Sequence, residues 1–164
     1  MATMKELPVE FEYGDESFSK LRFDLPDDGA MIIVPYESYH PYKLVLNYEL
    51  PANMSGDSTF TPIRVLFDLY LTLKGNDNLE IGPGKPFELI TYFTASELSK
   101  VRVGKTLKLA YWKQRSGKSP WNIIPDSEIV ELKNPSWKSN DVEYIGYVRV
   151  SLANWGDPPI AVGS

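Results

Sequence analysis

Few side chains in this 164-residue chain have the types and spacing that chemistry requires. The single histidine, His40, sits in the turn sequence Ser-Tyr-His-Pro-Tyr. A Ser-His-Asp device would need it, yet no Gly-x-Ser-x-Gly elbow accompanies it. Asp68 interrupts the apolar run "PIRVLFDLYLTL". Read with period 2, it falls on the polar face with Arg64, where the two pair as a structural ion pair rather than as a hydrolytic carboxylate. The segments "LPDDGA" (Asp27, Asp28) and "KGNDNLE" (Asp77, Asn78, Glu80) offer oxygen ligands. Neither has the spaced Asp-x-Asp-x-Asp-Gly pattern of a calcium loop, and turn formation accounts for both. Gly82-Pro-Gly-Lys85 lacks the spacing and the following helix of a phosphate loop. The sequence therefore nominates no catalytic residue, no metal site and no cofactor, and the expectation is a non-enzyme.

The stretch "GKTLKLAYWKQRSGKSPWNIIP", residues 104–125, is richer. A strand ends in Trp112, a polar loop carries Lys113, Arg115 and Lys118, and Trp121 opens the return strand. Period 2 puts Leu107, Leu109 and Tyr111 on one face, taken as the core face, and Lys108, Ala110 and Trp112 on the other. Trp121 can fold over that outer face as a cross-strand partner of Trp112. Two roles are open. The hairpin is structural, with its tryptophans covering apolar surface, or Trp112, Lys113, Arg115, Lys118 and Trp121 form a binding surface.

Charge limits the partners. The net charge is −5. Residues 1–60 carry 11 acidic and 4 basic side chains, whereas Lys100–Lys118 carries seven Lys/Arg and no Asp or Glu. One local basic stretch on an acidic chain argues against nucleic acid, which needs a broad positive footprint. No apolar run approaches the ~18 residues of a membrane span, and the first residues lack the apolar core of a signal peptide. The cytosol and the excised part of an extracellular protein both fit. With no cysteine, disulfides and thiolate metal sites are out.

The elements that must position these residues are strands almost throughout. "VEFEY" and "KLRFDL" alternate; "AMIIVPY", "YKLVLNYEL", "PIRVLFDLYLTL", "PFELITYF", "TLKLAYWK", "NIIP", "EIVEL" and "YIGYVRVSLA" are rich in β-branched and aromatic residues. Turn chemistry separates them, with 13 prolines and 11 glycines in the chain. "PIRVLFDLYLTL" reads as one long central strand, and "VEFEY", with Glu10 and Glu12, as a charge-guarded edge. Thr94 and Glu97 make a capping box for a helical turn. The expected fold is all-β: an antiparallel β-sandwich of nine or ten strands with at most one or two helical turns. Residues 1–155 form one domain, and 156–164 an irregular tail or linker.

The arrangement "FELITYFTASEL…VGKTLKLAYWKQRSGKSPWNIIP…VEYIGYVRVSLANWG" resembles the spectrin-binding type of β-sandwich found in ankyrins, netrin receptors and zonula occludens proteins. It is similar too to spacer domains of bacterial and archaeal surface proteins. The resemblance spans about residues 60–155. It implies a scaffold, spacer or assembly domain with a protein partner or self-association. Members that cut themselves do so at His-Phe-Ser; here Ser151 follows Val150, so self-cleavage is not implied. The alternative is a carbohydrate-binding module. Such a module would stack a glycan on exposed rings among Tyr36, Tyr39, Tyr42, Trp112, Trp121, Trp137 and Trp155. Exposure of the rings discriminates the two readings.

Overall fold

A computed structural model describes residues 4–6, 10–13, 18–25, 29–35, 42–47, 54–73, 76–80, 87–114, 116–137, 141–152 and 159–164. Fourteen strands and one short helix lie within them: β1 (Met4–Glu6), β2 (Glu10–Tyr13), β3 (Phe18–Leu25), β4 (Ala30–Pro35), β5 (Tyr42–Asn47), β6 (Pro62–Val65), β7 (Asp68–Leu73), β8 (Asn76–Glu80), β9 (Phe87–Phe93), α1 (Ala95–Ser99), β10 (Lys108–Trp112), β11 (Trp121–Ile123), β12 (Glu128–Trp137), β13 (Glu143–Leu152) and β14 (Ile160–Gly163). The fold is all-β, and every pairing is antiparallel.

Three sheets result: β12-β13-β9-β4-β3-β2, β11-β10-β14-β6 and β1-β5-β7-β8. The first two share one core. On β13, Tyr144, Gly146, Val148 and Val150 are buried and alternate with half-exposed residues. The register sets Val150 opposite Leu89, Val148 opposite Thr91 and Gly146 opposite Phe93. This inner face meets Leu109, Ile160 and Val162 of the second sheet in one apolar cluster. Period-2 alternation is what one face on the core and one toward water produces.

The helical turn forms as its cap predicts. The Thr94 hydroxyl accepts from the Glu97 amide at 3.1 Å, and the Glu97 carboxylate accepts from the Thr94 amide at 3.0 Å. β2 is an edge strand of the six-stranded sheet, where its two glutamates were expected to stand.

Four expectations are corrected. The run from Pro62 to Leu73 is two strands in two sheets: β6 ends at Val65, Leu66 and Phe67 form a buried corner, and β7 begins at Asp68. β6 is an edge strand and β7 an interior one. The corner is held by strand-like bonds to β14, Leu66 N–H to the Ile160 carbonyl at 2.9 Å and Ile160 N–H to the Phe67 carbonyl at 3.0 Å. Second, residues 160–163 are no tail. β14 lies between β10 and β6, and Pro159 through Ser164 are all buried. Third, β12 runs on through Asn134-Pro135-Ser136, with a register shift between Glu131 and Ser136. Pro is tolerated there because β12 is an edge strand with a bulge. Fourth, residues 76–80, expected in a turn, are a strand on β7. The fourteen strands among the described residues exceed the nine or ten expected because the divided run adds one, and β1, β8 and β14 arise in segments not read as strands.

Candidate functional site: the basic hairpin and its clasp

The hairpin forms with Trp112 directly opposite Trp121, Tyr111 opposite Asn122 and Ala110 opposite Ile123. The Lys113 amide donates to the Pro120 carbonyl at 2.8 Å and closes the loop. Gly117 takes φ +69°, the left-handed conformation that glycine supplies without a Cβ penalty.

The two faces of β10 have different neighbours, and both are covered. Leu107 and Leu109 enter the shared core. Ala110 and Trp112, on the face expected to be outer, join Phe60, Trp121 and Ala161 in a second cluster, flanked by Met54, Val65 and Ile123. Trp112 and Trp121 meet edge to face, centroids 5.0 Å apart and planes at 76°. Phe60 packs tilted against Trp121, also at 5.0 Å. Trp121 is 1% exposed and Trp112 8%. The Trp121 Nε1–H donates to the Ser55 carbonyl at 2.9 Å, which satisfies the indole's one polar group inside the cluster.

Segment 54–61 covers this face, and Asp57 holds it there. Its Oδ1 accepts from the amides of Thr59 (2.8 Å) and Phe60 (3.1 Å), an Asx-type turn that aims Phe60 at Trp121. Its Oδ2 accepts from the Ser119 hydroxyl at 2.6 Å, and the Trp121 amide donates to that Ser119 oxygen at 3.1 Å. Arg102 completes the clasp: Nη1 donates to the Asp57 carbonyl at 3.2 Å and Nη2 to the Ser164 carbonyl at 2.6 Å. The Ser119 hydrogen bond, ahead of the turn amides and the Arg102 charge, holds the Asp57 carboxyl below the usual carboxylate value. In this geometry the serine hydroxyl ties two loops together. No imidazole lies beside it among the described residues, and His40 lies outside them.

The structure thus divides the residues nominated from sequence. Lys113 and Lys118 are exposed on the loop, whereas Trp112 and Trp121 are inside. Arg115 lies outside the described residues, as do Tyr36, Tyr39, Trp155, the 27–28 and 82–85 segments. Tyr42 and Trp137 are described only as strand positions. Asp57, Ser119 and Arg102 were missed. The signal for the first was in the sequence: Gly-Asp-Ser-Thr is an Asx-turn pattern. Its link to Ser119 crosses 62 residues and had no local sign.

Arg64 and Asp68, expected on one face of one strand, belong to different strands in different sheets. Arg64 Nε donates to the Glu97 carboxylate at 2.7 Å, and Nη2 to the Tyr92 carbonyl at 2.6 Å. The capping glutamate of α1 therefore also anchors the helix to β6. On the far face of the six-stranded sheet Arg149 pairs with Glu88, which pushes the Arg149 pKa further up. Among the described residues no group of three or more His, Cys, Asp or Glu is placed to hold a metal ion.

The chain matches no protein-family model, no curated protein and no solved structure.

Proposed function

We propose that this chain is a non-catalytic interaction domain, a scaffold, spacer or small assembly subunit, that offers its cationic loops to a protein partner. The observation that carries this reading is the separation of rings from charges at the hairpin. Trp112 and Trp121 are spent on packing, while Lys113 and Lys118 stand in solvent beside them. Asp57, Ser119 and Arg102 are likewise spent on holding loops together. A rigid hairpin that ends in solvated cations suits recognition of an acidic protein surface, where charge steers association and sets specificity. The glycan alternative needs rings in a solvent-facing plane, and its two hairpin tryptophans do not supply one.

The test is photo-crosslinking from position 118 in cell extract, with the products identified by mass spectrometry. The parent should give a discrete adduct that Lys113→Glu removes and added salt weakens. A glycan array that binds the parent, and no longer binds Lys113→Glu, would replace this reading with the carbohydrate one.

A further inference from the structure

Every residue of β14 is buried, and among the described residues its strand partners are distant segments. Ile160 and Val162 point into the shared core, and Ala161 into the tryptophan cluster. Its ladder runs to β10 through Tyr111–Ile160, Ala110–Ala161, Leu109–Val162 and Lys108–Gly163, and to β6 through Val65–Ala161 and Arg64–Val162. Beyond the strand, Thr61 and Ser164 exchange N–H to carbonyl bonds at 2.8 and 3.1 Å, and Arg102 grips the Ser164 carbonyl. The slot is selective as well as deep. A Cβ at Gly163 would sit 2.8 Å from Phe60 Cζ and 2.9 Å from Pro62 Cα, so only glycine fits at that point.

The two strands that flank the slot, β6 and β10, both precede β13, and the strand that fills it follows β13 across to the other sheet. Among the described residues β14 has no local partner, so it docks only after a large loop has closed. Until then β10 and β6 present two unpaired edges on either side of an apolar slot, a template for any matching strand. The strand that matches best, down to its glycine, is the same segment of a second copy.

We propose that residues 159–164 are an exchangeable strand, through which two copies of this chain pair by each filling the other's slot. The exchange replaces every contact with an identical one, so its cost is low and its balance is set by concentration and by the crossing segment. This goes beyond the reading of the cationic loops and does not depend on it.

The chain has no cysteine, which makes the test clean. Ala110 and Ala161 are direct cross-strand partners, both buried and small. The variants Ala110→Cys and Ala161→Cys are purified separately, mixed at high concentration, warmed toward the unfolding midpoint, cooled and oxidised. The double variant, oxidised when dilute, reports whether the pair can bond within one chain. Light scattering on the parent after the same cycle reports its mass. Exchange predicts a disulfide-linked species of twice the chain mass in the mixture. It should be absent from either single variant and increase with concentration, alongside a parent dimer. A parent that remains monomeric, with no linked species in the mixture while the double variant closes internally, overturns the proposal. So does a parent dimer whose copies never link through positions 110 and 161.

Discussion

The Asp57 carboxylate accepts the Ser119 hydroxyl at 2.6 Å across 62 residues of sequence, and with this bond the 54–61 segment is tied over the tryptophan hairpin. The same carboxylate caps its own turn, so one side chain fixes both the shape of the segment and its position. Hydrogen bonds to an ionised acceptor are stronger than neutral ones.

Asp57→Ala should destabilise the fold by about 1.5–3 kcal/mol, the range for hydrogen bonds to a charged group. The pH dependence has a definite sign. The folded-state pKa of Asp57 is depressed, so its contribution is present above the unfolded value and is lost as pH falls through the folded one. Urea melts of the parent and Asp57→Asn should differ most near neutrality and converge in acid. A gap that widens as pH falls below 4 would contradict the assignment.

Trp121→Ala should cost about 3–5 kcal/mol, as expected for a large side chain removed from a full core. Its 1% exposure places it above the half-covered case that the hairpin sequence alone suggests. Lys113→Ala and Lys118→Ala should stay within about 0.5 kcal/mol of the parent, as exposed loop positions do. Chemical denaturation of the three variants checks both statements. A Trp121→Ala melt that overlays the parent would remove the aromatic cluster as a structural unit.

Thr91 is fully buried between Ala30 and Val148, and its hydroxyl has no hydrogen-bond partner among the described residues. Thr91→Val keeps the shape and removes the stranded polar atom. It should stabilise the protein by about 1 kcal/mol, near the low end of the penalty for an unsatisfied buried group. Calorimetry should show a higher melting temperature, and a lower one would mean the hydroxyl is engaged.

β2 lies at the edge of the six-stranded sheet. Replacing Glu10 and Glu12 with threonine takes away the charge that discourages strand-to-strand addition. The double variant should elute earlier in size exclusion as concentration increases. Unchanged monomer elution would remove the guarding role.

What the sequence disclosed followed the range of the interaction. The capping box of Thr94 and Glu97 and the facing tryptophans depend on neighbours a few residues apart, and both form as their spacing implies. The corner at Leu66–Phe67 left Asp68 as its one trace, because no glycine or proline breaks the run where the chain changes sheets. β14 was hidden for the opposite reason. Ile-Ala-Val-Gly is short and buried on both sides, so it shows no alternation, and the prolines before it read as the end of structure. The clasp at Asp57 was half legible, as a turn without its distant partner.

Because β10 is covered on both faces while Lys113, Gln114 and Ser116–Lys118 are exposed, the hairpin joins a rigid stem to a replaceable tip. A polar substitution at Leu109 or Ala110 has nowhere to go, but the tip can change length at an entropic cost that grows only logarithmically. Residues inserted between Ser116 and Gly117 would be displayed from a fixed base. New binding specificities can therefore arise there by lengthening or exchange of the tip, with the architecture beneath left intact.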